Sequence, residues 1–350
     1  MDGTHRKCVC SCRSAAIVLL LFYMTVTRVA ASSHPRGHLQ PLGSHQPPEG
    51  KIVEVEGASN PAELCRESMH FSRPVVLRRA IEKCRAMELW NDQYLRNNYG
   101  HLGFNCDIFK KEQLVIQSTS LNLSDFLDAY NESHYYIVDQ LPIEMRGDVP
   151  FIDCLHCGSV TSRLQEMQLW FSSGNTTSSF HFDTFHNLNC QLHGTKYWFL
   201  IDREAGGLHA YLSRALEGFP IKMEEFDVDA VNMYEYPNFQ NISWWETWIY
   251  PGDCVFVPYK WFHYVRSYNR NLAVNLWWSP SQAQDSNCAE TEEKQLVGAS
   301  LSDVYLTLGV HVRFMMTEMI LNNHGQVTFK EANYLFVYPF SNPAGRAIWN

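Results

Sequence analysis

The chain of 350 residues contains no apolar run of the roughly 20 residues that a membrane-spanning helix needs. Its longest such stretch, Ala15 to Val26, holds about a dozen. An excess of positive charge is also missing, since 28 Lys and Arg stand against 37 Asp and Glu. No basic stripe interrupts that balance, which argues against nucleic acid as a partner. A second Cys-x-x-Cys is absent, so Cys154 and Cys157 make a poor zinc half-site; a structural disulfide and buried thiols remain open. The C-terminus, Ala347-Ile348-Trp349-Asn350, is not a luminal retention signal of the Lys-Asp-Glu-Leu kind.

What is present begins with a targeting pattern. Arg6, Lys7 and Arg13 precede the short apolar run, and the small residues Val29-Ala30-Ala31-Ser32 follow it. Residues 1–31 therefore read as a secretory signal, with an uncleaved signal anchor as the alternative. The expected location is the endoplasmic reticulum lumen or the exterior. Without that segment the balance is 24 Lys and Arg against 36 Asp and Glu, a net of −12. Asn122, Asn131, Asn175 and Asn241 begin acceptor sequons that agree with export. Eight cysteines remain after residue 31, and Cys190 and Cys254, in core strands by pattern, read as small buried hydrophobes.

Residues 32–50 are rich in Pro, Gly, Ser and His, have no apolar periodicity, and are expected to form a flexible leader. From Lys51 the pattern becomes globular, and one domain over 51–285 is expected. Ile52 to Val55 suggests a strand, Pro61 to His70 a helix, Arg73 to Leu77 a strand, and Leu89 to Leu95 a short helix. A further helix is expected from Ser124 to Tyr130, capped by Ser124. Residues 286–350 form a C-terminal helical extension: Val304, Leu308, Val312, Met315 and Met319 recur at helical spacing up to Gly325. Its apolar face needs a cover, either its own barrel or a second copy in a homodimer.

The chemistry gathers in two stretches. His181 and Asp183 lie two apart in an aromatic run, so on a strand both side chains leave one face. An imidazole and a carboxylate so placed, completed by a distant histidine, give the facial triad of a non-haem Fe(II) oxygenase. His263 is the natural third member, because it follows the turn Pro251-Gly252-Asp253 and the apolar strand Cys254 to Val257. Lys196 stands in an otherwise hydrophobic strand, where a buried ammonium calls for an anion. The spacing alone fits a solvent-facing lysine equally well.

These residues carry a family resemblance. Together with Asn175-Thr176-Thr177-Ser178, Asn187, Tyr234 to Asn241, Trp261-Phe262-His263 and Val274-Asn275-Leu276-Trp277, they resemble the JmjC-type, cupin-like Fe(II)/2-oxoglutarate oxygenases. Within that family the chain is most similar to the hypoxia-inducible-factor asparaginyl hydroxylase type, over about residues 51–280. The resemblance implies a mainly β double-stranded β-helix, the jelly-roll or cupin architecture, with flanking helices. It makes His181, Asp183 and His263 the iron ligands. Lys196 would pair with the distal carboxylate of 2-oxoglutarate, helped by Ser178, Asn187, Asn275 and Tyr136, and Gln240 would contact a polypeptide substrate.

The function so implied is an Fe(II)- and 2-oxoglutarate-dependent oxygenase that uses dioxygen to hydroxylate a protein side chain in the secretory pathway. Two other readings stay open: an inactive barrel kept as a binding or scaffold protein, and an oxygenase of a small molecule.

Overall fold

The computed structural model describes residues 34–57, 72–108, 117–156, 158–161, 163–178, 180–205, 226–280 and 301. The expected signal, the helix over 61–70 and the C-terminal helix lie outside them, as do Cys65, Cys157 and Cys288. Among the described residues no helix is long and apolar enough to cross a membrane. The chain divides into two compact units, Met1–Gly50 with Ile201–Trp245, and Lys51–Leu200 with Glu246–Asn350.

The larger unit is built on strands, as the alternation of apolar positions requires. In chain order the strands are β1 (Gly50–Lys51), β2 (Val53–Glu56), β3 (Val75–Arg78), β4 (Gly103–Asp107), β5 (Ser118–Asn122), β6 (Tyr136–Gln140) and β7 (Leu164–Ser172). They continue with β8 (Thr176–Thr177), β9 (His181–Phe182), β10 (His186–Ile201), β11 (Trp245–Ile249), β12 (Cys254–Val257) and β13 (Phe262–Trp278). Across the main sheet the order is β2-β3-β12-β10-β13-β7-β6-β4-β5, with β8 and β9 paired to β13. Such crossovers between non-consecutive, mostly antiparallel strands give the expected mainly β, jelly-roll type of fold.

The two long strands, β10 and β13, are buried over most of their length because both of their faces are covered, and β10 carries buried polar residues as well as apolar ones. Leu188, Leu192, Val274 and Leu276 join Trp90, Phe126 and Phe171 in one core cluster. The turn before β12 is pinned by Asp253, which accepts from the backbone N–H groups of Arg79 and Tyr250 and pairs with Arg78 at 2.6 Å. Gly252 at φ +97° supplies the left-handed bend that this turn needs.

Three expectations are corrected here. The helix near 124 spans Leu123–Ala129, and its cap is Asn122, whose side chain accepts from the Asp125 N–H at 2.8 Å; Ser124 already lies in the first turn. Cys190 and Cys254 face each other in the β10/β12 register and form a disulfide, with 4.1 Å between their Cα atoms. A directly opposed antiparallel pair brings two cysteines within bonding reach, so burial alone was an incomplete account. In the smaller unit, residues 34–50 are not a free leader. Leu39 N–H donates to Val231 O at 2.7 Å and Leu42 N–H to Val228 O at 2.8 Å, while Leu42 and His45 are buried. Hydrogen bonding to a neighbouring segment needs no apolar periodicity, which is why composition pointed the other way.

Candidate metal centre and its cavity

His181 ends up beside His263 because β9 and β13 pair antiparallel with these two residues in register. Asp183 follows β9 by one residue, and Lys260 N–H donates to its backbone carbonyl at 2.9 Å, holding the turn against the start of β13. The Nε2 of His181 lies 3.7 Å from Asp183 Oδ1, and the Nε2 of His263 lies 3.8 Å from Asp183 Oδ2. One ligand atom from each of the three residues lies within 4.8 Å of the other two. The three side chains therefore converge in space.

The tautomer of His263 is set from behind. Its Nδ1 lies 3.0 Å from the Trp261 carbonyl, so Nδ1–H donates there and the Nε2 lone pair faces Asp183. Burial, reinforced by the neighbouring His181, holds the His263 imidazole down at about 4. The ring is thus neutral at physiological pH, as a ligand must be.

The triad opens onto a cavity whose lining is drawn mainly from β7, β10 and β13. Of the residues that the family resemblance singled out, Ser178, Asn187, Lys196 and Asn275 all line it. Lys196 is 3% exposed, which removes the reading of a solvent-facing lysine, and its ammonium sits 5.3 Å from the centre of the Trp170 ring. Tyr136 does not line the cavity. It sits on β6, the strand next to β7, with its ring 5.8 Å from that of the cavity-lining Trp170. Gln240 belongs to the smaller unit, where its amide donates to the Met233 carbonyl at 3.4 Å.

Sequence reasoning missed four lining residues: Trp170, Asn189, Trp198 and Val265. Three were within reach of strand alternation, because Asn189 is two beyond Asn187, Trp198 two beyond Lys196, and Val265 two beyond His263. Asn187 and Lys196, however, are nine residues apart on β10, and a regular strand would send them to opposite faces. Gly194, at φ +72°, lies between them and shifts the alternation by one, so that both line the same cavity.

The indole N–H groups of Trp170, Trp198 and Trp277, all lining the cavity, are buried without a partner in the protein. Buried polar groups normally form hydrogen bonds, and a cavity lined by a buried ammonium and several asparagine amides suits an acceptor-rich anion. The three converging ligand atoms, two imidazole nitrogens and a carboxylate oxygen, suit a divalent transition metal.

A family profile described as cupin-like domain matches residues 61–284. The chain belongs to the cupin-like domain family. Over 218 residues this cupin-like chain is 25% identical to lysine-specific demethylase 8 of Xenopus tropicalis, covering 59% of the chain and 48% of the relative. Lysine-specific demethylase JMJ30 of Arabidopsis thaliana is 27% identical over 227 residues, 61% of the chain and 51% of the relative. A shorter match, 33% over 107 residues, joins 30% of the chain to 31% of tRNA wybutosine-synthesizing protein 5 of Danio rerio. The cupin-like chain spans about half the length of the two demethylases. Fe(II) and 2-oxoglutarate are the cofactor and cosubstrate of JmjC oxygenases, and the residues of this cupin-like cavity fit both.

Proposed function

We propose that this cupin-like chain is an Fe(II)- and 2-oxoglutarate-dependent oxygenase that hydroxylates a polypeptide side chain in the secretory pathway. One observation carries the reading: His181, Asp183 and His263 converge in the lining of a cavity that also includes the buried Lys196. A barrel kept only for binding has no need of three convergent ligands.

When bound, iron and 2-oxoglutarate supply an oxidant that places one oxygen atom of O₂ in a C–H bond, the cosubstrate leaving as succinate and carbon dioxide. The chain's own residues select and orient. Lys196 would hold the distal carboxylate by a charge-assisted contact, in a site shielded from water. Ser178, Asn187 and Asn275 line the same cavity as Lys196 and the triad, and would add hydrogen bonds to the cosubstrate. Trp277, stacked on Phe185 at 6.4 Å, gives the cavity part of its aromatic wall. A protein substrate, rather than nucleic acid, agrees with the net charge of −9. The likeness to the asparaginyl hydroxylase type, the targeting pattern and the sequons at the exposed Asn122 and Asn131 support hydroxylation in a luminal compartment.

The test is 2-oxoglutarate turnover with Fe(II) under air, beside an oxygen-free control, in wild type and His181→Ala. Turnover that requires iron and vanishes in the variant supports the reading; equal turnover in both overturns it. Mass spectrometry of luminal proteins for a gain of one oxygen then identifies the substrate.

A further inference from the structure

Three buried asparagines join the cavity to the metal carboxylate in a single line. Asn187 Nδ2 donates to Asp183 Oδ2 at 3.3 Å, and Asn275 Nδ2 donates to Asn187 Oδ1 at 2.9 Å. Asn189 Nδ2 donates in turn to Asn275 Oδ1. All three line the cavity and are at most 3% exposed. At the far end, Asn189 Oδ1 is buried with no partner in the protein.

An asparagine amide is nearly symmetric in shape and opposite in polarity at its two ends, so each link could in principle turn over. The line has one polarity because its end is fixed: a carboxylate that ligates a cation only accepts. Asn187 must then present N–H to Asp183, Asn275 must present N–H to Asn187, and Asn189 must present N–H to Asn275. Reversing any single amide sets two oxygens against each other in a buried site, where an unmade hydrogen bond is costly.

We infer that Asn189 is a positioning residue for the metal centre: from the far end of a three-amide relay it fixes the polarity of Asn275 and Asn187, and through them the orientation of the Asp183 carboxylate. This rests on the reading of His181, Asp183 and His263 as a divalent-cation site. Partners that orient a metal ligand from behind typically change metal affinity by about 10- to 100-fold when removed. Asn189 touches none of the three ligands in the hydrogen-bond network, so its effect runs through the relay.

The experiment is Co(II) titration of the metal-free, full-length protein without 2-oxoglutarate, followed by the visible d–d absorption, for wild type, Asn189→Leu and Asn189→Asp. Asn189→Leu deletes the terminal donor, and a loss of about tenfold in Co(II) affinity with altered band intensities is expected. Asn189→Asp keeps the shape and discriminates by sign. Its added negative charge alone would tighten cation binding, whereas an acceptor at that position reverses the relay and weakens it. Weaker binding in Asn189→Leu, or in Asn189→Asp should the leucine variant not fold, supports the inference. Wild-type affinity and spectrum in Asn189→Leu overturns it, and equal or tighter binding in Asn189→Asp does so where that variant decides. A wild-type protein that binds no stoichiometric Co(II) instead removes the metal-site reading beneath it.

Discussion

His181 and His263, 82 positions apart in the chain, sit directly opposite each other in an antiparallel strand pair, with ring centroids 4.4 Å apart. That cross-strand relationship places both Nε2 atoms around Asp183. A two-residue strand, β9, is enough to set it, because its partner is the long central strand β13. The site therefore rests on one of the most buried elements of the fold, and on register more than on loops.

Replacing Lys196 by Met should separate the cosubstrate from the metal. The variant keeps the apolar stem and loses the buried charge. Loss of a charge-assisted hydrogen bond to a carboxylate costs about 1.5–3 kcal/mol, so the KM for 2-oxoglutarate should rise roughly 10- to 100-fold. Co(II) affinity without cosubstrate should stay within about twofold of wild type. Steady-state turnover and the Co(II) titration check the two halves independently.

Gly194→Ala tests the shift in alternation on β10. A Cβ at Gly194 would lie 2.5 Å from Arg270 O and 2.6 Å from Tyr268 O, on a backbone with φ +72°. The substitution should destabilise the fold by more than about 1 kcal/mol and loosen Lys196 from the cavity. Urea unfolding and the KM for 2-oxoglutarate should both respond, whereas Gly50→Ala, where a Cβ meets nothing within 4 Å, should leave both unchanged.

The Cys190–Cys254 disulfide closes a separation of 64 residues. Constraint of the unfolded chain over such a loop is worth about 4 kcal/mol. The double variant Cys190→Ala/Cys254→Ala should unfold at markedly lower urea than wild type. Both residues lie next to ligand-bearing segments, so reduction should also lower the temperature at which turnover is lost. Thermal inactivation with and without dithiothreitol reads this out.

The pH dependence of the metal-free protein follows from His263. Its folded-state value of about 4 lies below the ordinary histidine value, chiefly because the ring is buried. Between about 6.5 and 4 the unfolded chain holds the extra proton, so the stability contribution is intact above about pH 6.5 and falls away as pH drops towards 4. The loss amounts to about 3 kcal/mol. Urea midpoints at pH 7 and pH 4.5 should differ less for His263→Gln than for wild type; an equal difference would contradict the assignment.

Much of this was legible in the chain itself. Local pattern marked the apolar strands, the turn at Pro251-Gly252-Asp253, the His-x-Asp pair, and Lys196 as an ammonium in apolar company. These are properties of residues close in sequence, where side-chain period and turn chemistry act directly. The resemblance then named Ser178, Asn187 and Asn275, and the cavity contains them. It named Tyr136 too, which the structure sets on β6, beside the cavity-lining strand β7 and outside the lining itself.

What the tertiary structure decided is who meets whom across distance. Strand register put His263 against His181 and Cys190 against Cys254, and no local pattern encodes a partner 82 or 64 positions away. The positive φ at Gly194 turned Lys196 to the face of Asn187, where strict alternation would have sent it to the other. Composition specified the donors; their convergence came from long-range pairing, in which a shift of one residue sends a side chain to the opposite face of the sheet.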